Sequence, residues 1–345
     1  MNLKIMKTKY LMIATVAMLL AACSNDENEV NNGPVAAQVS ASFGAESRAV
    51  NTDNTWAAND AIGVMVTKVE QPTGGNAATS DMVTRYKNVK YTTNNGGSSA
   101  TFEAEAGQGI FFQDATETVT FAAYYPYQES AADTLPGKYN NGIIIFDTRT
   151  SNTTETQAKI DFLYASGATA TKGTPTVEFK NNTPVNTQFQ HKMAQLKLVI
   201  KASTADGFTN EEAKGIFNDD VNAYQLGSVY YFGNFNIQTG RAQNTGGTPD
   251  PSWDITGCVH TDNDQTSPYT RTYSLILFPQ YAIGGLPLSI SVGGNTFTCN
   301  DIKPNLEAGK SYTYTITVKK TGLEVSGCTI APWTVESEQK GDATM

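Results

Sequence analysis

Cys23 is the side chain best placed for covalent chemistry. It follows Leu19-Leu20-Ala21-Ala22, where two small alanines suit a peptidase pocket and the next thiol is a nucleophile for lipid attachment. The chain has only two histidines. His191, in Phe189-Gln190-His191-Lys192-Met193 beside an apolar strand, reads as a hydrogen-bonded structural residue rather than a base. His260, in Cys258-Val259-His260, leaves zinc short of its usual three or four ligands. Asp262 and Asp264 flank Asn263 and offer oxygens to calcium, but the downstream bidentate carboxylate is missing. They read as a solvated acidic loop. No Gly-rich phosphate loop, HExxH or Gly-x-Ser-x-Gly motif occurs in the sequence, and nothing marks a carboxylate pair for glycoside hydrolysis. The expectation is a non-enzyme without catalytic residue, cofactor or metal.

Lys4, Lys7 and Lys9 precede an apolar stretch from Leu11 to Leu20 that is too short to cross a bilayer as a stable helix. With Cys23 behind it, this arrangement resembles a bacterial lipoprotein signal: residues 1–22 are removed and Cys23 is acylated as the mature N-terminus. The alternative is an ordinary secretory signal that ends near a cysteine. Both take the chain out of the cytoplasm. Ser24-Asn25-Asp26-Glu27-Asn28-Glu29 is an acidic tether without an apolar residue. It resembles the surface-display signal of Bacteroidetes lipoproteins, or is a plain solvated linker.

The 345-residue chain carries a formal charge of −9, and removal of residues 1–22, with three lysines and no acid, moves it to −12. No Lys/Arg cluster offsets that field, so nucleic acid is not an expected partner. Beyond Cys23 there are three cysteines, Cys258, Cys299 and Cys328. An odd number excludes a full disulfide framework and leaves a Cys258–Cys299 bridge open.

Period-2 alternation dominates the rest and predicts antiparallel sheets with one face packed and one wet. Val35–Phe43 has apolar residues at every odd position. Val119, Phe121, Ala123, Tyr125 and Tyr127 share one side of a second strand; Leu196, Leu198 and Ile200 mark a third; Tyr312, Tyr314, Ile316 and Val318 mark a fourth. Asn94-Asn95-Gly96-Gly97, Asn140-Asn141-Gly142 and Gly293-Gly294-Asn295 tolerate positive φ and predict tight turns, the last joining Leu288–Val292 to Thr296–Thr298. Thr209 and Glu212 predict a capping box on a helix of one or two turns. Residues 67–81 and 244–267 read as surface loops, and Asn181-Asn182-Thr183-Pro184 as a domain break. Tyr124-Tyr125-Pro126-Tyr127 and Tyr230-Tyr231-Phe232 would suit sugar stacking, but alternation turns half of each inward, which favours packing.

Several strings together resemble the fimbrillin family, the FimA/Mfa-like pilins of Bacteroidetes type V pili. They are Trp56-Ala57-Ala58-Asn59-Asp60-Ala61-Ile62-Gly63-Val64, Ala123-Tyr124-Tyr125-Pro126-Tyr127, Asp161-Phe162-Leu163-Tyr164-Ala165 and Phe189-Gln190-His191. Leu277-Phe278-Pro279-Gln280, Leu306-Glu307-Ala308-Gly309-Lys310-Ser311-Tyr312 and Trp333 complete the set. The resemblance implies an all-β chain of two tandem transthyretin-like β-sandwich domains, here 49–184 and 185–345, after a signal peptide (1–22) and a lipidated tether with a removable first strand (23–48). It implies export as a lipoprotein on Cys23 to the outer membrane surface. A trypsin-like cut after Arg48, before Ala49, would then release the first strand so that a neighbouring subunit's strand fills the groove. Other pilin subunits would be the partners and adhesion the purpose, with a donor strand from the segment Leu323, Val325, Ile330 to Trp333. The alternatives are an incidental surface arginine at position 48, and an uncleaved monomeric surface lipoprotein that binds glycan or host ligand through its loops.

Overall fold

Two layers built from the alternating segments enclose the first core. The computed structural model describes residues 33–42, 55–71, 81–129, 137–181, 187–281, 284–292 and 294–333. A five-stranded antiparallel sheet runs in the order Gln190–His191, Leu163–Thr171, Thr118–Tyr125, Ala61–Glu70, Val89–Thr92. Facing it is a three-stranded sheet in the order Thr176–Phe179, Gln38–Ser42, Ser99–Phe102. Between them lie Trp56, Ile62, Val64, Phe102, Phe121, Val177, Phe179 and Phe189, all buried. The turn at 94–97 works as expected, and its glycines have separate reasons. Gly97 sits at φ +141, while a Cβ on Gly96 would meet the Trp56 carbonyl oxygen at 2.6 Å.

A second core has the same plan. Its larger sheet runs His260–Asn263, Tyr269–Leu277, Ala194–Ala202, Lys310–Lys319, Gly322–Pro332, with Ala194–Ala202 parallel to Lys310–Lys319. Its smaller sheet runs Trp253–Asp254, Ala223–Leu226, Leu288–Val292, Asn295–Cys299. Leu196, Leu198, Ile200, Tyr312, Tyr314, Ile316 and Val318 point into this core, as their alternation predicts. The hairpin of Leu288–Val292 and Asn295–Cys299 forms with Gly294 at φ +81. The helix Asn210–Gly215 carries the reciprocal capping box. Thr209 Oγ1 accepts from the Glu212 amide at 3.2 Å, and the Glu212 carboxylate accepts from the Thr209 amide at 2.8 Å.

A third sheet, Arg241–Asn244, Phe232–Asn236, Ile143–Asp147, Gly137–Asn140, corrects the one-face-wet expectation. Its Ile144, Phe146 and Phe235 cluster with Met65, Ala122 and Tyr124 of the first five-stranded sheet, with Ile276 of the second and with Phe278 just beyond it. Thr118–Tyr125 is therefore buried on both sides, its odd residues in the first core and Ala122 and Tyr124 in the third. This sheet takes strands from both sides of residue 184.

The loop expectations also need correcting. Thr67 to Glu70 continue the strand Ala61–Glu70 against Thr118–Thr120, while residues 72–80 of that segment lie outside the described residues. Within 244–267, Trp253–Asp254 and His260–Asn263 are strands, and Trp253 and Ile255 are buried. Burial of Trp253 and Ile255 overrode the Gly, Pro and Asn content around them, while the largely exposed His260–Asn263 is held by pairing with Tyr269–Leu277. No helix among the described residues is long and apolar enough to cross a membrane.

Candidate functional site

Cys23, Arg48 and Ala49 lie outside the described residues, as does Phe43 at the end of the expected first strand. The part that is described occupies an unusual place. Gln38–Ser42 is an internal strand, parallel to Thr176–Phe179 on one side (Val39 opposite Val177, Ala41 opposite Phe179) and antiparallel to Ser99–Phe102 on the other (Val39 opposite Phe102, Ala41 opposite Ala100). Val35–Ala36 pairs separately with Phe111–Phe112, and the Ala37 amide donates to the Ile110 carbonyl at 2.8 Å. Ala37, Val39 and Ala41 point into the first core while Gln38, Ser40 and Ser42 face outward. The odd-position alternation thus holds across the Ala37 break in pairing.

Trp56 closes the site from below. Its indole Nε1–H donates to the Ala41 carbonyl at 3.2 Å, and its ring meets Phe102, Phe189 and Tyr125 edge-on, with centroids 4.9, 5.4 and 5.5 Å away. The Asp60 carboxylate holds the turn after Trp56 by accepting from the Ala57 amide at 2.7 Å and from the Tyr125 hydroxyl at 3.1 Å. Burial raises Asp60 above the usual carboxylate range, and burial together with the Asp60 carboxylate pushes the Tyr125 phenol up. Taking Gln38–Ser42 out would leave unpaired ladder groups on two strands at once and expose an apolar slot floored by Trp56, Phe102, Val177 and Phe179.

The family profile described as fimbrillin-like matches residues 47–333. The chain belongs to the fimbrillin-like family. A Bacteroides uniformis protein named "Putative fimbrium subunit Fim1C" is 29% identical over 341 residues, 95% of this chain and 96% of that protein. A solved Bacteroides ovatus structure described as a putative cell adhesion protein is 27% identical with a TM-score of 0.63, covering 88% of this chain and 100% of that one. A second, from Bacteroides uniformis and described in the same words, shares the fold at 24% identity and a TM-score of 0.57, covering 89% and 100%.

In this fimbrillin-like chain the strings behind the resemblance are structural ties. Asp161 Oδ1 lies 2.7 Å from His191 Nδ1, both buried, and the His191 ring stacks on Trp333 at 4.1 Å with an 11° interplanar angle. His191 is the structural residue its context predicts. Phe162 stacks on Phe235 at 4.4 Å, and the Tyr164 hydroxyl donates to the Gln238 carbonyl at 2.8 Å. The backbone of Tyr230 is held both ways by Gln280, whose Oε1 accepts from the Tyr230 amide at 2.9 Å while Nε2 donates to its carbonyl at 3.1 Å.

Asp262 and Asp264 are both exposed, as expected, but each is ion-paired, and Asp262 sits on a strand rather than a loop. Asp262 receives the Arg271 guanidinium twice, at 2.6 and 2.8 Å, while exposed Asp264 pairs with Lys214 at 3.4 Å. Arg271 is itself buried, also bonds Asp219 and the Phe217 carbonyl, and sits over the Tyr224 ring. Its sequence context, Tyr269-Thr270-Arg271-Thr272-Tyr273, gave no sign of this clamp. Arg271→Ala is expected to cost about 2–3 kcal/mol in urea denaturation, less than a fully buried pair because both carboxylates keep contact with water. Arg271→Met, which keeps the stem, should cost less.

Among the described residues no group of three or more His, Cys, Asp or Glu side chains is arranged to hold a metal. Cys258, Cys299 and Cys328 are free thiols, the first two buried and the third exposed on the edge strand Gly322–Pro332. Burial pushes the Cys258 thiol up to about 12. In native chain 24–345 a maleimide should therefore modify Cys328 at least about a hundred times faster than Cys258 or Cys299, with the buried pair reacting only on unfolding. Peptide mapping of the labelled chain checks this.

Proposed function

We propose that this chain is a fimbrial subunit precursor whose first strand is a removable stopper. Residues 49–184 and 185–345 are read as tandem transthyretin-like sandwich domains, joined by the sheet they share. The chain is exported as a lipoprotein on Cys23 and displayed at the outer membrane. A trypsin-like cut between Arg48 and Ala49 frees the stopper, and a strand from another subunit enters the slot to build an adhesive fimbrium. The role is structural rather than enzymatic.

The internal position of Gln38–Ser42, paired on both edges and only six residues before Arg48, is the observation that carries this reading. A second supports the cut site. The other four arginines, Arg85, Arg149, Arg241 and Arg271, all lie in helices or strands, where a protease would have to unfold backbone to reach them. The segment Gly322–Pro332, the donor candidate, is an edge strand that leaves Ile330 exposed, although its Leu323 and Val325 pack against the second core.

Arginine-specific digestion of chain 24–345, followed by N-terminal sequencing and size analysis, tests the proposal. It should give one cut, a new terminus at Ala49-Val50-Asn51, and ladders of multiples, with Arg48→Ala resisting both. A chain that stays whole contradicts it and favours an uncleaved surface lipoprotein, and a chain that is cut but remains monomeric contradicts the assembly step.

A further inference from the structure

The two ends of the first-strand slot differ in depth. At Ala41 the slot is full: the Trp56 indole is bonded to the Ala41 carbonyl, Ala100 and Phe179 flank the residue, and Ala41 is 2% exposed. At Ala37 it is not. The ladder to Ser99–Phe102 ends at the Val39–Phe102 pair, and the chain at 103–109 turns away before Phe111 rejoins at Ala36. A groove of about 560 Å³ opens there, reaching Ala37, Val39, Tyr91 and Phe102, with exposed Glu103 and Glu105 also lining it. Among the described residues the first strand brings Ala37, Val39 and Ala41 to this core, whereas strands Ala61–Glu70 and Thr176–Phe179 bring Ile62, Val64, Val177 and Phe179.

From this asymmetry we propose that the slot sorts its occupants by side-chain size. It favours an extended strand with an Ala- or Gly-sized residue over Trp56 and, four residues earlier, an apolar residue larger than alanine. This rests on the reading of the first strand as displaceable, and it gives displacement a direction. A strand that fills the groove at the position of Ala37 buries more apolar surface than the stopper it replaces, at unchanged backbone pairing. The stopper is then held well enough to block assembly and loosely enough to lose the exchange.

Two measurements test the size rule separately from the exchange. In intact chain 24–345, Ala41→Leu overfills the tight end and should lower the melting temperature by about 3–6 °C, whereas Ala37→Leu should leave it unchanged or raise it. Equal losses for both, or none for Ala41→Leu, overturn the rule. Fluorescent peptides of residues 33–47 are then titrated onto chain cut at Arg48. The Ala37→Leu peptide should bind several times tighter than the native peptide, and the Ala41→Leu peptide at least about tenfold weaker, a difference of about 1.4 kcal/mol. If the native peptide does not bind, the displaceable-strand reading fails. If it binds and all three bind alike, the size rule alone fails.

Discussion

Trp56→Ala should remove about 3–5 kcal/mol of stability, the largest loss expected from any single truncation near the first strand. The ring is fully buried among Phe102, Tyr125 and Phe189, so deletion leaves a cavity bounded by rigid aromatics that cannot collapse into it. The Ala41 carbonyl also loses its indole donor. Trp56→Phe keeps most of the ring and loses the N–H, and should cost about 1–2 kcal/mol. Guanidinium denaturation followed by circular dichroism gives both values. A loss under about 1 kcal/mol for the alanine variant would mean that the ring is not the floor of the slot.

Val39→Asp should act differently: it should empty the slot rather than unfold the molecule. Val39 is 3% exposed and lies between Val177 and Phe102, so a carboxylate there has no partner and would cost several kcal/mol if it stayed. The chain escapes that cost by releasing one five-residue strand. Hydrogen exchange should show protection at residues 38–42 falling at least about a hundredfold, with losses at Ser99–Phe102 and Thr176–Phe179 and none in the Ala194–Ala202 strand. Ser40→Asp, on the outward face, should change stability by no more than about 0.5 kcal/mol. Retained protection at 38–42, or loss of protection everywhere, would sink the idea of a separable strand.

Alternation made much of this visible in the sequence. It identified Ala37, Val39 and Ala41 as one face, and the Leu196 and Tyr312 strands with the correct sides inward, because one-sided burial leaves a period-2 signature. The sequence could not show that Gln38–Ser42 pairs parallel with a strand 138 residues further on, since register between distant strands is set by tertiary packing. The third sheet was hidden for a related reason. Residues such as Ala122 and Tyr124, apolar on the second face of an already alternating strand, look like noise until another layer is found to cover them. Arg271 was missed because Asp219 comes from a turn and Asp262 from a neighbouring strand that the sequence reads as loop. Trp56 was noticed only as part of a family string, yet it bonds directly to the strand that the proposed cut at Arg48 would free.

A reversible lock on the first strand tests the stopper most directly. Ser42 and Ser99 are opposite each other in antiparallel register, within the reach of a disulfide, and neither is buried. In chain 24–345 carrying Ser42→Cys, Ser99→Cys and Cys328→Ser, oxidation should pin the strand in place. Arginine-specific protease should still cut at Arg48, but the 24–48 fragment should stay attached and the chain monomeric. Adding reductant should then release the fragment and start ladder formation. Ladders that grow while the disulfide is intact, or a cut chain that stays monomeric after reduction, would contradict the account.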